Sequence, residues 1–194
     1  MHIQGSIEGL SVIIDPMDTS HVDALWEAAM PKEIWRFMVT KIDSRDEMEH
    51  AVKTALEEKI KGVQFPFIIR RKTDGKIIGS TRYLDISPQN MSLEIGWTWL
   101  NPSAWKTAVN TECKYLLLKT AFEELGFNRV QLKTDGRNQV SQKAIERIGA
   151  VKEGLLRQER KLQDGYLRDT VVYSILACEW PLVKENLLKK LSRE

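Results

Sequence analysis

The chain has 194 residues, 42% of them hydrophobic, with 29 basic side chains against 27 acidic ones. That length is enough for one domain with a full core, and the balanced charge gives no electrostatic reason for a nucleic-acid or membrane-surface partner. No apolar stretch approaches the ~20 residues of a bilayer span, and "MHIQGSIEGLSV" lacks the basic flank and apolar run of a signal peptide, so a soluble, cytoplasmic protein is expected.

In chain order, "LSVIIDPM" (10–17) is rich in β-branched residues and ends near a proline, which predicts a first strand. "DTSHVDALWEAAM" (18–30) opens with capping residues and continues with helix formers. In "SRDEMEHAVKTALEEKIKG" (44–62), Ser44 with Glu47 forms a capping-box pattern and Gly62 supplies the stop. "QFPFIIRR" (64–71), "KIIGSTRYLDI" (76–86) and "MSLEIGWTWL" (91–100) predict three strands, and Asp74-Gly75 is a hairpin signal, so an antiparallel meander is expected. On the third strand, Leu93, Ile95, Trp97 and Trp99 alternate with Glu94, Gly96 and Thr98, which predicts two opposed faces.

From Ala108 the period changes. Val109, Cys113, Leu117, Ala121 and Leu125 form a helical stripe closed by Gly126. "NRVQLKT" (128–134) predicts a short strand and "NQVSQKAIERIG" (138–149) a helix. "VKEGLLRQERKL" (151–162) and "RDTVVYSILACEW" (168–180) predict a closing antiparallel pair. "PLVKENLLKKLSRE" (181–194) has Val183, Leu187, Leu188 and Leu191 at helical spacing, and packing on its own domain is expected. The order β-α-α-β-β-β-α-β-α-β-β fits one mixed α/β domain over 9–181 with an amphipathic tail over 182–194. Cys113 and Cys178 are expected to be buried free thiols. His2, His21 and His50 have no partner at ligand spacing, so no metal is expected.

The segment "NPSAWKTAVNTE" (101–112) leads from the third meander strand into the long helix, and its first acid, Glu112, comes late. The first-turn amides and the positive dipole end therefore face no early carboxylate. Three readings stay open: the end is solvated, Asn101 or Ser103 caps it, or it holds an anion. GxxxxGK[ST] and GxGxxG are both absent, so a nucleoside triphosphate site is unsupported. What remains is a place where backbone amides, Thr107, Thr111 and Lys106 meet a phosphate-bearing group.

"LEIGWTWLNPSAWKTAVNTECKYLLLKTAFEELGFNRVQLKT", "NQVSQKAIERIGA" and "EGLLRQER…RDTVVYSIL" stand in an order and spacing that resemble the GCN5-related N-acetyltransferase (GNAT) superfamily, in the branch of the ribosomal-protein alanine and serine N-acetyltransferases. The resemblance implies a single GNAT-type domain whose mostly antiparallel sheet is flanked by helices and splayed at an acetyl-CoA site. The family's loop Q/R-x-x-G-x-G/A falls on Trp105, Lys106, Thr107, Ala108, Val109 and Asn110, with Ala108 in place of the first glycine and Asn110 in place of the small sixth residue. It implies that the pyrophosphate lies on the amides of that turn, as far as Thr111. Ile95, Gly96, Trp97 and Trp99 would hold the pantetheine and thioester, and Asn138 and Ser141 would contact CoA. Asn138 equally suits a helix N-cap.

An N-acetyltransferase needs a neutral amine, an oxyanion donor and, where the thiolate leaves poorly, an acid. A backbone amide within Ile95–Trp99 is the expected oxyanion donor. Glu94 is the expected general base, with a strand-orienting carboxylate or an arginine partner as the other reading. Many family members carry a tyrosine acid where this chain has Ile145, so Ser141 is the expected substitute. The acceptor is a primary amine, either a protein N-terminus or a small molecule. The rival reading is a CoA-binding regulatory or interaction module without turnover. Trp26, Trp35, Trp97 and Trp99 are expected in the core, with an acceptor pocket as their other reading; Arg82 and Tyr83 could reach the same cleft, with no role assigned to either.

Overall fold

The computed structural model describes residues 5–192, so His2 and the last two residues of the tail lie outside the described residues. The described chain begins with a short hairpin, β1 (Ile7–Glu8) and β2 (Val12–Pro16). β1 is a strand that its two-residue length hides from pattern reading. Its turn is fixed from afar: Leu10 N, Ser11 N and Ser11 Oγ all donate to the buried Glu112 carboxylate. Gly9 lies so close to Glu112 and Leu116 that a Cβ there would collide with both side chains.

A 3-10 turn, Thr19–His21, leads into α1 (Val22–Ala29). Asp18 caps the turn by accepting from Ser20 N at 2.8 Å, while its own N–H donates to His21 Nδ1. α2 (Arg45–Ile60) starts at Ser44, which accepts from Glu47 N at 3.2 Å. Glu47 returns its bond one residue earlier than the capping-box pattern, to Asp43 N. Gly62 closes the helix at φ +77°, a left-handed position that suits glycine.

The meander follows as expected: β3 (Phe65–Arg71), β4 (Ile77–Ser87) and β5 (Ser92–Leu100), paired antiparallel. α3 (Val109–Lys119) continues into a π-turn over Thr120–Glu124, where Leu125 N bonds Thr120 O, so the predicted single stripe contains one wide turn. Then come β6 (Arg129–Asp135), α4 (Gln139–Arg147), β7 (Val151–Lys161), β8 (Leu167–Leu176) and α5 (Trp180–Leu191).

The eight strands form one sheet in the order β1-β2-β3-β4-β5-β6-β8-β7, antiparallel except for the β5–β6 pair. One face packs under α3, α4 and α5 through residues such as Phe67, Tyr83, Leu117, Val130, Ile145 and Leu187. The other packs under α1 and α2 through Leu25, Trp35, Met48, Val52, Ile68 and Trp99. α5 belongs to the first core, with Trp180 and Val183 buried and Trp180 stacked near Tyr115 and Phe122. Of the two thiols, Cys113 is buried but Cys178 is exposed, because it sits in the turn between β8 and α5 where the strand pattern has ended. Among the described residues no helix is long and apolar enough to cross a membrane.

Candidate active site

β5 and β6 run parallel for only three pairs, Ser92–Glu94 against Arg129–Gln131. Beyond Glu94 they part, β5 staying with β4 to Leu100 and β6 staying with β8 to Asp135. Just past this point β5 carries a bulge. Arg82 faces Gly96 and Ser80 faces Trp99, so β5 spends one more residue than β4 over the same interval, and Trp97 sits at φ +51°. Gly96 is required by close approach: a Cβ there would lie 2.7 Å from Glu94 Oε1 and 2.8 Å from Leu84 Cδ1.

The bulge corrects the expected alternation. An added residue inverts which face the side chains meet. Leu93 and Ile95 therefore pack in the core under α3, whereas Trp97 and Trp99 pack in the core under α1 and α2. Trp35 joins them, its ring 6.4 Å from that of Trp97 and 5.7 Å from that of Trp99.

The turn after β5 ends in an uncapped helix start. Asn101 does cap, but it caps the separate 3-10 turn Pro102–Ala104 by accepting from Ser103 N at 3.0 Å. Trp105 is partly exposed and donates its indole N–H to Leu100 O. Lys106 is exposed and adopts φ +60°. Thr107 Oγ1 donates to Ala104 O at 2.7 Å and accepts from Val109 N at 3.3 Å, the one side-chain acceptor of a first-turn amide among the described residues. Ala108, at the N-cap position, supplies none, and Glu112 is committed to the N-terminal hairpin. Ala108 and Asn110 are half-buried, and Thr111 is buried. Thr111 Oγ1 accepts from Arg147 Nη2 at 3.0 Å, which brings a cation from the end of α4 to the start of α3. Sequence reasoning missed Arg147, because no local spacing links residues 36 positions apart.

Across the parting strands, Asn138 caps α4 by accepting from Ser141 N at 3.0 Å, so these two predicted residues are together. Ile145 lies in the core. Ahead of α4, the Arg137 guanidinium stacks 3.6 Å from the Tyr166 ring and 5.8 Å from that of Phe37. Gln163 Oε1 also accepts from Lys41 N, so the α1–α2 loop meets the β7–β8 turn.

Glu94 is buried at 7% exposure and ion-paired with Lys133 Nζ at 2.9 Å, with Gln131 Nε2 at 3.4 Å. Its cationic partner is a lysine of the neighbouring strand. Burial draws the Lys133 ammonium down, but the hydrogen bond and charge of Glu94 outweigh it and hold its pKa above the ordinary value. Lys114 reaches the same region from α3, bonding Thr98 Oγ1 at 2.8 Å; burial pulls its pKa down to about 8 against the opposing pull of Cys113 and Glu94. Burial pushes the Cys113 thiol up to about 12, which makes it a poor nucleophile. Among the described residues no cluster of three His, Cys, Asp or Glu side chains could hold a metal. The site thus combines parted strands, a bulge and a buried carboxylate on β5 with a helix start whose N-cap residue makes no side-chain bond.

Residues 11–151 match the family described as an acetyltransferase (GNAT) domain. The uncharacterized N-acetyltransferase p20 of Bacillus licheniformis is 26% identical over 165 residues, which span 84% of this chain and 92% of that relative. A GCN5-related N-acetyltransferase from Brucella melitensis has a crystal structure similar at a TM-score of 0.89 and 26% identity, over 97% of this chain and 86% of that one. Mycobacterium smegmatis RimJ in complex with CoA-disulfide shares the fold at a TM-score of 0.80 and 20% identity, over 96% of this chain and 91% of that one. The chain belongs to the GNAT acetyltransferase family and is an N-acetyltransferase.

Proposed function

We propose that the protein transfers an acetyl group from acetyl-CoA to a primary amine by direct attack in a ternary complex. The observation that carries this reading is the parting of β5 and β6 after Glu94, beside the bulge at Gly96–Trp97 and in line with the uncapped start of α3. The amides from Lys106 to Thr111, with Thr107, suit a pyrophosphate, since a helix start presents free N–H groups and a positive dipole end. Trp105 walls this turn, and Asn138 and Ser141 stand on the opposite strand's helix, where they would contact CoA.

In the chemical step, a backbone amide within Ile95–Trp99 donates to the developing oxyanion. Glu94 takes the proton of the attacking amine, directly or through water. Ser141 protonates the departing sulfur, although a thiol with a pKa near ~8.5 leaves tolerably without help. An α-amine, at ~7.7–8.0, is easier to deprotonate than a lysine at ~10.4, which favours a protein N-terminus or another weakly basic primary amine. The transferase unit is taken as residues 9–181 with the tail 182–194, in the cytoplasm, in keeping with two free thiols.

The second reading, a CoA-binding module without turnover, draws on Ala108, Asn110 and Ile145, which depart from the family's pattern. Thiol release from acetyl-CoA separates the two. Release that requires an added primary amine, with acetylated amine found by mass spectrometry, supports transfer. Saturable acetyl-CoA binding with no amine-dependent release across peptides and small amines would leave the binding module.

A further inference from the structure

The bulge leaves part of β5 with few backbone ties. Pairing with β4 passes from Gly96 opposite Arg82 to Trp99 opposite Ser80, so Trp97 and Thr98 have no partner in register. β6 has already departed after Glu94. The Thr98 side chain takes up the task. The bulge turns it toward α3, where its hydroxyl lies 2.8 Å from Thr81 Oγ1 and accepts from Lys114 Nζ at 2.8 Å. The same hydroxyl donates to Gly96 O at 3.4 Å, so it ties the two sides of the bulge together.

Lys114 is an expensive residue to place there. It is buried, yet among the described residues it forms no ion pair, and its single hydrogen bond goes to a neutral hydroxyl. An ammonium has three donors, so two are uncommitted. Burying such a charge destabilises the fold, and an apolar side chain of similar length would fill the place without that penalty. Thr98 does not need it either, since Thr81 already supplies a hydroxyl partner. The charge is therefore explained by its place, bonded to the stretch of β5 whose amides are proposed to receive the oxyanion.

We propose that Lys114 is a positioning residue for acetyl transfer: through Thr98 it fixes the bulge amides on the acetyl oxygen, and its ammonium polarises that carbonyl. The proposal rests on the acetyltransferase reading above. In a buried setting water screens the charge weakly, so a fixed cation behind the amides stabilises a developing oxyanion without reorganising. The titratable and charged groups around Lys114 are Cys113 on its own helix, Tyr83 on β4, Glu94 on β5, Lys133 on β6 and Arg147 on α4, which bonds Thr111 one turn earlier. Cys113, pushed up to about 12, and Tyr83, raised well above its ordinary value, keep their protons between pH 7 and 9, and Lys133, held above its ordinary value, stays charged. Lys114, drawn down to about 8 by burial, is the one of these four that loses its proton in that interval.

The test follows acetyl-CoA labelled with carbon-13 at its acetyl carbonyl, bound to the protein without any acceptor, by infrared difference spectroscopy. Wild type, Lys114→Met and Thr98→Val are compared, with acetyl-CoA affinity measured by calorimetry and stability by urea unfolding. In the wild type the bound carbonyl stretch is expected below that of free acetyl-CoA, because a positive field weakens the C=O bond. At least half of that shift should be lost in Lys114→Met, while acetyl-CoA affinity holds and stability at pH 7 does not fall. The wild-type shift should shrink from pH 7 to 9, and that of Lys114→Met should stay constant. A lysine with a merely structural role leaves the carbonyl untouched. An equal shift in wild type and Lys114→Met, or no shift in the wild type, thus overturns the proposal and leaves acetyl-CoA binding standing. Should Lys114→Met fail to fold, Thr98→Val decides: loss of the shift supports the proposal, and a full shift overturns it. Absence of acetyl-CoA binding by the wild type overturns the acetyltransferase reading and the proposal with it.

Discussion

The Glu94 carboxylate and the Lys133 ammonium lie 2.9 Å apart, linking the last paired residue of β5 to a residue of β6 two positions beyond its partner Gln131, where the strands have begun to separate. The pair holds the buried Glu94 carboxylate beside the bulge. If Glu94 is the proton acceptor, Glu94→Gln keeps shape and hydrogen bonds but cannot take a proton. We expect kcat to fall by about 10²–10⁴-fold with acetyl-CoA affinity unchanged. A proportional loss of acetyl-CoA binding, with kcat preserved, would assign Glu94 to structure instead.

Lys114 gives a pH dependence of stability with a definite sign. Its folded pKa, about 8, is depressed below the unfolded value near 10.5 by burial. Between these values the unfolded chain binds more protons than the folded one, so wild-type stability rises with pH across that window. Lys114→Met removes the buried charge and leaves Thr98 bonded to Thr81 at 2.8 Å. Urea unfolding should show the variant more stable by up to ~3 kcal/mol at pH 7, with the gap narrowing from pH 8 to 10.5. A gap independent of pH would contradict this.

Glu112 ties the first hairpin to α3. Replacing it with alanine strands the amides of Leu10 and Ser11, which both donate to it. A hydrogen bond to a charged carboxylate contributes about 1.5–3 kcal/mol. Glu112→Ala is therefore expected to lose about 2–4 kcal/mol in chemical denaturation, and Glu112→Gln distinctly less. Equal, small losses for both would show that the hairpin is held by other contacts.

Arg147 stands at the start of α3 through its bond to Thr111. A cation there adds to the positive helix end. Arg147→Ala should weaken acetyl-CoA binding by about 10-fold at low salt, and the difference should shrink as ionic strength rises. An unchanged affinity at low salt would remove Arg147 from the phosphate environment.

Local patterns made most of the fold legible. Ser44, Asp74-Gly75 and the stripe from Val109 to Leu125 each mark an element by short-range chemistry, and each element forms where its pattern lies. What stayed hidden depends on residues far apart in sequence. The Trp97 bulge inverts the strand's faces because β4 supplies one residue fewer over the same interval, a relation invisible in β5 alone. The β1 hairpin exists because Glu112, more than a hundred residues later, takes its amides. At the site, Asn138 and Ser141 could be paired from their spacing, since a cap and its third residue are neighbours by geometry. Lys133, Lys114 and Arg147 could not, because each reaches the site from a separate element.

Acetyl-CoA is proposed to sit along β5 and on the start of α3. Calorimetric titration of the protein with acetyl-CoA tests it most directly, with Ala108→Gly titrated beside it. We predict saturable one-to-one binding by the wild type and tighter binding by the variant, because glycine lets the backbone approach a phosphate more closely. Absence of binding by both proteins would contradict the account.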